Sequence, residues 1–374
     1  MGSPVGGVRP SGSDTGNDGR GGGQGVRPGG SDTFTYDPVA MLDLRSRWRA
    51  IETILWLCAL LPFWLAPTHL QLASQIAITA LFAISLDLIL GYAGIVSMGH
   101  AAFFGLGAYT AGIISAKLGW GEPVSGLLLA GIVAGIGGYL SSLVVCRFRH
   151  LALIMITLGI GVMLHEIANT SHGLTGGADG LQGVRTWKFL GIWSLDIYGY
   201  VAYTYALIVL FVCFLVARRI VQSPFGLALR GIRENALRMP AIGAPSQSHL
   251  RKIYTIAAVM AGIAGAVLAQ TTETVSLEVL SFQRSADVLV ILILGGTGRL
   301  YGGIIGAIIY MLARDYLSGL NPQYWYFWIG LLLVGVVMFM PNGVLGGLDR
   351  LRRFAPLAML VGDRRSPGKR EGAQ

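Results

Sequence analysis

The sequence predicts an all-α polytopic membrane protein of about ten transmembrane helices, some of them broken or re-entrant. Three observations carry that expectation. Of 374 residues, 53% are hydrophobic and only 13% charged, against about 25% charged in a soluble domain. Apolar runs of roughly 20 residues recur, the length one helix needs to cross a bilayer. The Lys and Arg residues behind the net charge of +9 gather at the ends of those runs. That is where membrane orientation puts them, and the charge needs no nucleic acid to explain it.

The elements follow in order. Residues 1–44 are rich in Gly, Ser and Arg and contain a near-repeat, GVRPSGSD from Gly7 and GVRPGGSD from Gly25. Such a composition buries too little apolar surface to offset chain entropy, so a disordered tail is expected there. It holds no apolar signal-peptide core, and position 6 lacks the Ser or Thr that myristoylation wants. The transmembrane domain is expected over 45–349, with apolar runs at 51–66, 71–91, 100–117, 123–146, 151–168, 201–221, 253–271, 286–299, 301–318 and 325–346. A basic tail, 350–374, closes the chain. Cys58, Cys146 and Cys213 are isolated in or beside apolar runs and read as small hydrophobes.

Basic clusters orient these spans. Arg45, Arg47 and Arg49 precede the first. Arg147, Arg149 and His150 follow the fourth, and Arg218 to Lys252 crowd the loop after the sixth. Arg350 to Arg370 end the chain. Ten spans put all of them on one face, which the positive-inside rule makes cytoplasmic, with both termini inside. The opposite loops are balanced or acidic, with Glu122, then Arg185 and Lys188 against Asp179 and Asp196, then Glu273 and Glu278.

From Leu70 to Ala116 the only formal charge is Asp87, and the run is twice the length of one span. It must break, and GYAGIVSMGHAAFFGLGAYT (91–110), with five glycines, is the obvious place. Broken helices are tolerated only where protein or a wet cavity satisfies the freed backbone groups, and in transporters they line the solute path. Candidate path residues are Asp87, Gly91, Gly94, Ser97, His100 and Gly105, joined by Gly295, Gly296 and Gly298 in a second glycine-dense break, LGGTGRLYGGIIGA (294–307). Most of these glycines equally serve close helix packing, and an intramembrane carboxylate such as Asp87 should face the bundle as a structural contact. His165–Glu166 and Arg314–Asp315 read as interface residues. The HE pair lacks a second His four positions on, so it makes no metal motif, and no metal site is expected.

After the sixth span, SPFGLALRGIRENALRMPAIG (223–243), within a loop of about 222–252, reads as an amphipathic helix. Ser223 caps it, Pro224 is its first residue, and Phe225, Leu229, Ile232 and Ala236 recur at helical spacing. Glu234 and Arg238 form a favourable i,i+4 pair, and Pro240 is expected to end the helix. Such a helix lies on anionic lipid or docks into a partner's groove, and composition alone favours membrane lipid as the partner. On the opposite side HGLTGGADGLQG (172–183) is a turn-rich loop, equally readable as a plain connector. There is no phosphate-binding loop, dinucleotide fingerprint or nucleophile elbow, so this chain is expected to bind no cofactor and to catalyse no covalent chemistry.

These segments stand in a recognisable order: SLDLILGYAGIVSMGHAAFFGLGAYTAG (85–112), LTGGADGL (174–181), SPFGLALRGIRENALRMPAIG (223–243), AGIAGAVLA (261–269) and LGGTGRLYGGIIGA (294–307). Together they resemble the permease subunits of branched-chain amino acid ABC transporters, of the larger LivM type, over roughly residues 50 to 350. The resemblance implies an importer in the bacterial inner membrane, assembled with a second homologous permease, two cytoplasmic ATPases that carry ATP and Mg, and a periplasmic or extracellular substrate-binding protein. It makes the 223–243 segment the coupling helix that docks into an ATPase, through Ser223, Pro224, Phe225, Gly226, Arg230, Arg233, Glu234, Asn235 and Gly243. It also places Thr175, Gly176, Gly177, Asp179 and Gly180 in an external loop. The chain departs from the family pattern in its amino-terminal tail, in Asp87 where many relatives carry Asn, and in Arg238–Met239–Pro240. Similar permeases serve urea, short amides and aromatic acids, which stand as alternative substrates. Two other classes stand as alternatives: an ion-coupled secondary transporter, for which Asp87 and His100 are the sole plausible midplane pair, and a membrane-embedded enzyme, for which the sequence offers no nucleophile or metal cluster.

Overall fold

The computed structural model describes residues 55–65, 69–148, 151–187, 199–340 and 343–347. Both tails, 1–44 and 350–374, lie outside the described residues, as does the start of the first apolar run. Within them the chain is helical: α1 (Leu55–Trp64), α2 (Leu70–Asp87), α3 (Ala101–Leu118), α4 (Pro123–Val145), α5 (Leu151–Thr170), α6 (Tyr200–Gln222), α7 (Pro224–Glu234), α8 (Ser246–Thr272), α9 (Phe282–Gly295), α10 (Leu300–Leu320) and α11 (Trp325–Phe339). The only extended pairing among the described residues is a single antiparallel bridge between Leu181 and Val275.

Eight helices among the described residues are long and apolar enough to cross a membrane, where the sequence leads one to expect ten. The two remaining runs are shorter elements here. α1 adjoins residues outside those described, and α9 has 14 residues, a rise of about 21 Å against a hydrocarbon core of about 30 Å. α9 is reached by an irregular segment with a single 3₁₀ turn, Leu277–Leu280, packed along α3. A β-carbon at Gly105 would overlap the Leu280 side chain, and one at Gly112 would sit against Val275. The segment thus runs back into the bundle beside α3 before α9 begins. With α9 it leads from the Leu181–Val275 bridge to the Asp87–Gly298 hydrogen bond, so it is the interrupted element, and not a re-entrant one, that the shortness of the run at 286–299 suggests.

α8 is the centre of the bundle, and small residues put it there. Gly107 of α3 rests on the Gly262 carbonyl, and Gly265 lies under the Phe104 carbonyl. On the other flank Gly138 of α4 meets Ala258, and Gly262 meets Ala134. Lipid tails are as apolar as leucine, so burying apolar surface holds membrane helices together poorly. Close backbone approach and van der Waals contact do it instead, and each requires a missing side chain at the crossing. α9 and α10 close in the same way, Gly295 against the Gly302 carbonyl and Gly306 against the Ile291 carbonyl. By contrast α5 and α11 present most of their surface outward.

Candidate functional site

The break after α2 forms from the residues upward. Its last turn widens to a π-helical turn, Leu88–Tyr92, and the chain then leaves helical geometry until Ala101. Gly94 has φ +75, a conformation that side chains bearing a β-carbon resist. The backbone groups freed by the break find protein partners. Ile95 N–H donates to the Ile89 carbonyl at 2.9 Å, Met98 N–H to Thr157 Oγ1 at 3.2 Å, and Ala101 N–H to Ser285 Oγ at 3.0 Å. The break is therefore held by α5 and α9, as irregular backbone within a membrane protein must be.

Asp87 joins the two glycine-dense breaks. It is fully buried, and its Oδ1 accepts a hydrogen bond from Gly298 N–H at 2.7 Å. Gly298 has φ +77 and lies in the turn between α9 and α10. Gly91 sits between them: a β-carbon there would overlap the Asp87 carboxylate and come within 2.5 Å of the Gly298 nitrogen. The glycine at 91 is thus the space into which the Asp87–Gly298 hydrogen bond fits. Gly295 is buried in the α9–α10 contact, and Gly296 lies against Gly343 and Gly302.

The helix after α6 docks on this junction. Ser223 caps α7 as expected, its Oγ accepting from Gly226 N–H at 3.4 Å, with Pro224 in the first turn. Gly226, Leu229 and Ile232 are buried and Phe225 stacks on His249 at 5.4 Å. Arg233 Nη1 donates to the Gly91 carbonyl, and the Arg230 guanidinium lies over the Tyr92 ring at 5.2 Å. The Gly94 turn fits under the Arg233 stem, whose Cγ would be 3.0 Å from a β-carbon at 94. Two arginines of α7 therefore touch the broken end of α2 directly.

Two details of that helix differ from expectation. α7 ends at Glu234, because Asn235 turns extended (φ −151) and its Oδ1 accepts from Leu237 and Arg238 N–H, both at 3.2 Å. Pro240 lies instead inside a 3₁₀ turn, Met239–Ile242, which Gly243 closes with φ +86. Glu234 and Arg238 consequently do not share a helix, and the i,i+4 pair does not form. An Asn side chain that competes for its own following N–H groups is a stronger stop signal than a proline five residues on.

Ser97 and His100 are both buried. Ser97 lies beside the Tyr254 hydroxyl. The His100 ring stacks on Phe82 at 5.5 Å, and its Nε2 is 2.9 Å from Ser85 Oγ. Half-buried Met98 and buried Gly99, which packs against the Thr157 carbonyl, line a cavity of about 230 Å³ with Gly161 and His165 of α5 and Ser281 and Ser285 at the head of α9; the exposed residue of the break is Gly94. At the end of the bundle away from α7, Thr175 Oγ1 donates to the Ala168 carbonyl at 2.5 Å, and Gly176, Gly177 and Gly180 all take positive φ. Gly180 lies against the Val275 carbonyl, and Leu181 exchanges two hydrogen bonds with Val275, at 2.8 and 2.9 Å. Asp179 is exposed. The loop is a fastened turn rather than a loose connector.

Sequence reasoning missed one group of residues. Arg284 and Arg314, together with Glu278, line a single cavity of about 190 Å³. Arg314, half-buried, reaches this cavity. The one available signal was an arginine in the first turn of a short apolar helix.

Broken apolar helices braced by small residues and gripped at one end by a capped amphipathic helix define a multi-pass membrane protein of transporter type. Comparison with known sequences gives the family. The profile described as "Branched-chain amino acid transport system / permease component" matches residues 68–337, and the chain belongs to that family. It is 27% identical over 305 residues to the high-affinity branched-chain amino acid transport system permease protein LivM of Salmonella typhimurium, covering 76% of this chain and 71% of that one. It is 26% identical over 316 residues to the LivM protein of Escherichia coli, covering 79% and 74%. A probable LivM permease of Methanocaldococcus jannaschii is 26% identical over 316 residues, covering 70% of this chain and 89% of that one. No solved structure matches.

Proposed function

We propose that this chain is one of two permease subunits of an ATP-driven importer for branched-chain or closely related amino acids, with both termini on the cytoplasmic face of the inner membrane. The observation that carries the reading is the grip of α7 on the broken end of α2, through Arg233 and the Gly91 carbonyl and through Arg230 and Tyr92. Around that grip Leu227, Leu237 and Ile242 stay largely exposed. The apolar face of α7 formed by Gly226, Leu229 and Ile232 is already buried on the bundle, so these further outward apolar groups are left to meet a partner's groove. The groove would be that of a cytoplasmic ATPase, and its closure would pull on α7, and through Arg233 on the junction of the two breaks. The solute would pass by the cavity that Met98 and Gly99 line between α5 and α9, a second permease forming the other wall. Ser97 and His100 support that face from behind. ATP and Mg would be held by the ATPases, and the solute delivered by a binding protein at the Thr175–Gly180 end.

The test is purification of the tagged chain with its ATPases, followed by uptake in vesicles supplied with ATP and a binding protein. Co-purification is expected, and Arg233→Glu should leave ATP hydrolysis running while uptake falls at least tenfold. Uptake by this chain alone, driven by an ion gradient, would refute the reading in favour of a secondary transporter.

A further inference from the structure

The cavity beside α9 gathers two arginines and a glutamate from three separate elements. Arg284 comes from the first turn of α9 and Arg314 from the far half of α10, and Glu278 comes from the irregular segment between α8 and α9. Each guanidinium covers an aromatic face, Arg284 over Phe104 at 5.5 Å and Arg314 over Trp325 at 5.3 Å. Among the described residues neither makes an ion pair. The nearby Asp287 is not part of the lining; it accepts from Gln283 Nε2 at 3.0 Å and, like Glu278, attracts Arg284. Glu278 and Asp287 offset part of the arginines' charge and the aromatic faces another part, and no side-chain acceptor among the described residues hydrogen-bonds either guanidinium edge. Arginine's planar fork matches a carboxylate better than any other common anion-binding side chain does.

The rest of the lining narrows the ligand. Glu278 can accept an ammonium group, and Gln75 and Thr79 add uncharged hydrogen-bonding groups. Leu268, Val279 and Met311 form an apolar wall. At about 190 Å³ the space lies below the roughly 300 Å³ at which drug-sized pockets begin, and suits one small molecule. It lies in the half of the bundle away from α7, where the solute would arrive.

We propose that this cavity is a permease-borne subsite for a zwitterionic amino acid, with Arg284 and Arg314 taking the carboxylate, Glu278 the ammonium, and the apolar wall an aliphatic side chain. The inference deepens the reading of the chain as an amino acid permease and rests on it for the choice of ligand.

Its test reads the arginines themselves. In the detergent-purified complex, phenylglyoxal modifies accessible arginines, and peptide mass spectrometry reports positions 284 and 314 separately. L-leucine and 4-methylpentanoate, which carry the carboxylate, are expected to shield both, and leucinamide, which lacks it, is not. L-leucine should shield at least fivefold better than 4-methylpentanoate, and Glu278→Gln should erase that difference. In vesicles, Arg314→Gln should raise the KM for leucine uptake at least tenfold. Shielding by leucinamide equal to that by leucine, or no shielding by any probe, overturns the subsite. Shielding by leucine without any leucine uptake by the wild-type complex supports the subsite and refutes the transport reading, whereas uptake without shielding does the reverse.

Discussion

At the scale of single residues, Asp87 and Gly91 form a matched pair. The carboxylate needs the Gly298 N–H, and the missing side chain at 91 leaves room for that hydrogen bond. Asp87→Asn keeps an acceptor oxygen, so the purified complex should melt close to the wild type. Asp87→Leu takes the acceptor from the half-buried Gly298 N–H, which costs up to about 1–3 kcal/mol, and a lower Tm should report it. Gly91→Ala forces a methyl group into the same space at a cost of about 1–3 kcal/mol. It should reduce uptake at least tenfold even where assembled complex is recovered. Uptake at the wild-type rate in Gly91→Ala would show that the junction tolerates opening. From the sequence, Asp87 was visible as an expensive charge and Gly91 as a break, but not their shared partner. Gly298 is 211 residues from Asp87, and nothing in local composition links two glycine-rich turns that far apart.

At the scale of elements, α7 shows what local rules can and cannot supply. Its start was legible because Ser223 and Pro224 act within one turn of themselves. Its end was misjudged because the Asn235 side chain captured the backbone five residues before the proline. Ser223→Ala removes the cap and should cost about 0.5–2 kcal/mol of local helix stability. Hydrogen exchange at Gly226 and Leu227 should accelerate while the transmembrane helices keep their protection. Gly94→Leu belongs to the same scale. It strains a positive-φ turn and presses on the Arg233 stem, so uptake should be lost while assembled complex persists. Unaltered uptake in that variant would count against any mechanical link between α7 and α2.

At the scale of the whole molecule, the apolar runs translate closely into helices because a bilayer sets both their length and their flanks. The order in space was not legible. That α8 lies between α3 and α4 follows from Gly107, Gly262 and Gly138 meeting across the bundle, and small residues announce a close crossing without naming the partner. The cavity of Arg284, Arg314 and Glu278 escaped for the same reason: its three charges come from three separate elements. The arrangement predicts a definite topology. In a variant stripped of its own cysteines, Asn235→Cys should react with an impermeant maleimide only from the cytoplasmic face, and Asp179→Cys only from the other. Labelling of both from one side would overturn the proposed orientation.

The shortness of α9 also bears on how the protein is made. A helix of 14 residues rises about 21 Å, and it begins with Gln283 and Arg284 and contains Asp287. Such a segment is a poor candidate for insertion as it leaves the ribosome. It has to wait for α10, whose glycines close over it at Gly295 and Ile291. The Asp87–Gly298 hydrogen bond, and with it the seat for Arg233, is therefore completed late in synthesis. A chain truncated after Gly298 and released into the membrane should hold α2 to α8 in place while α9 remains open to protease.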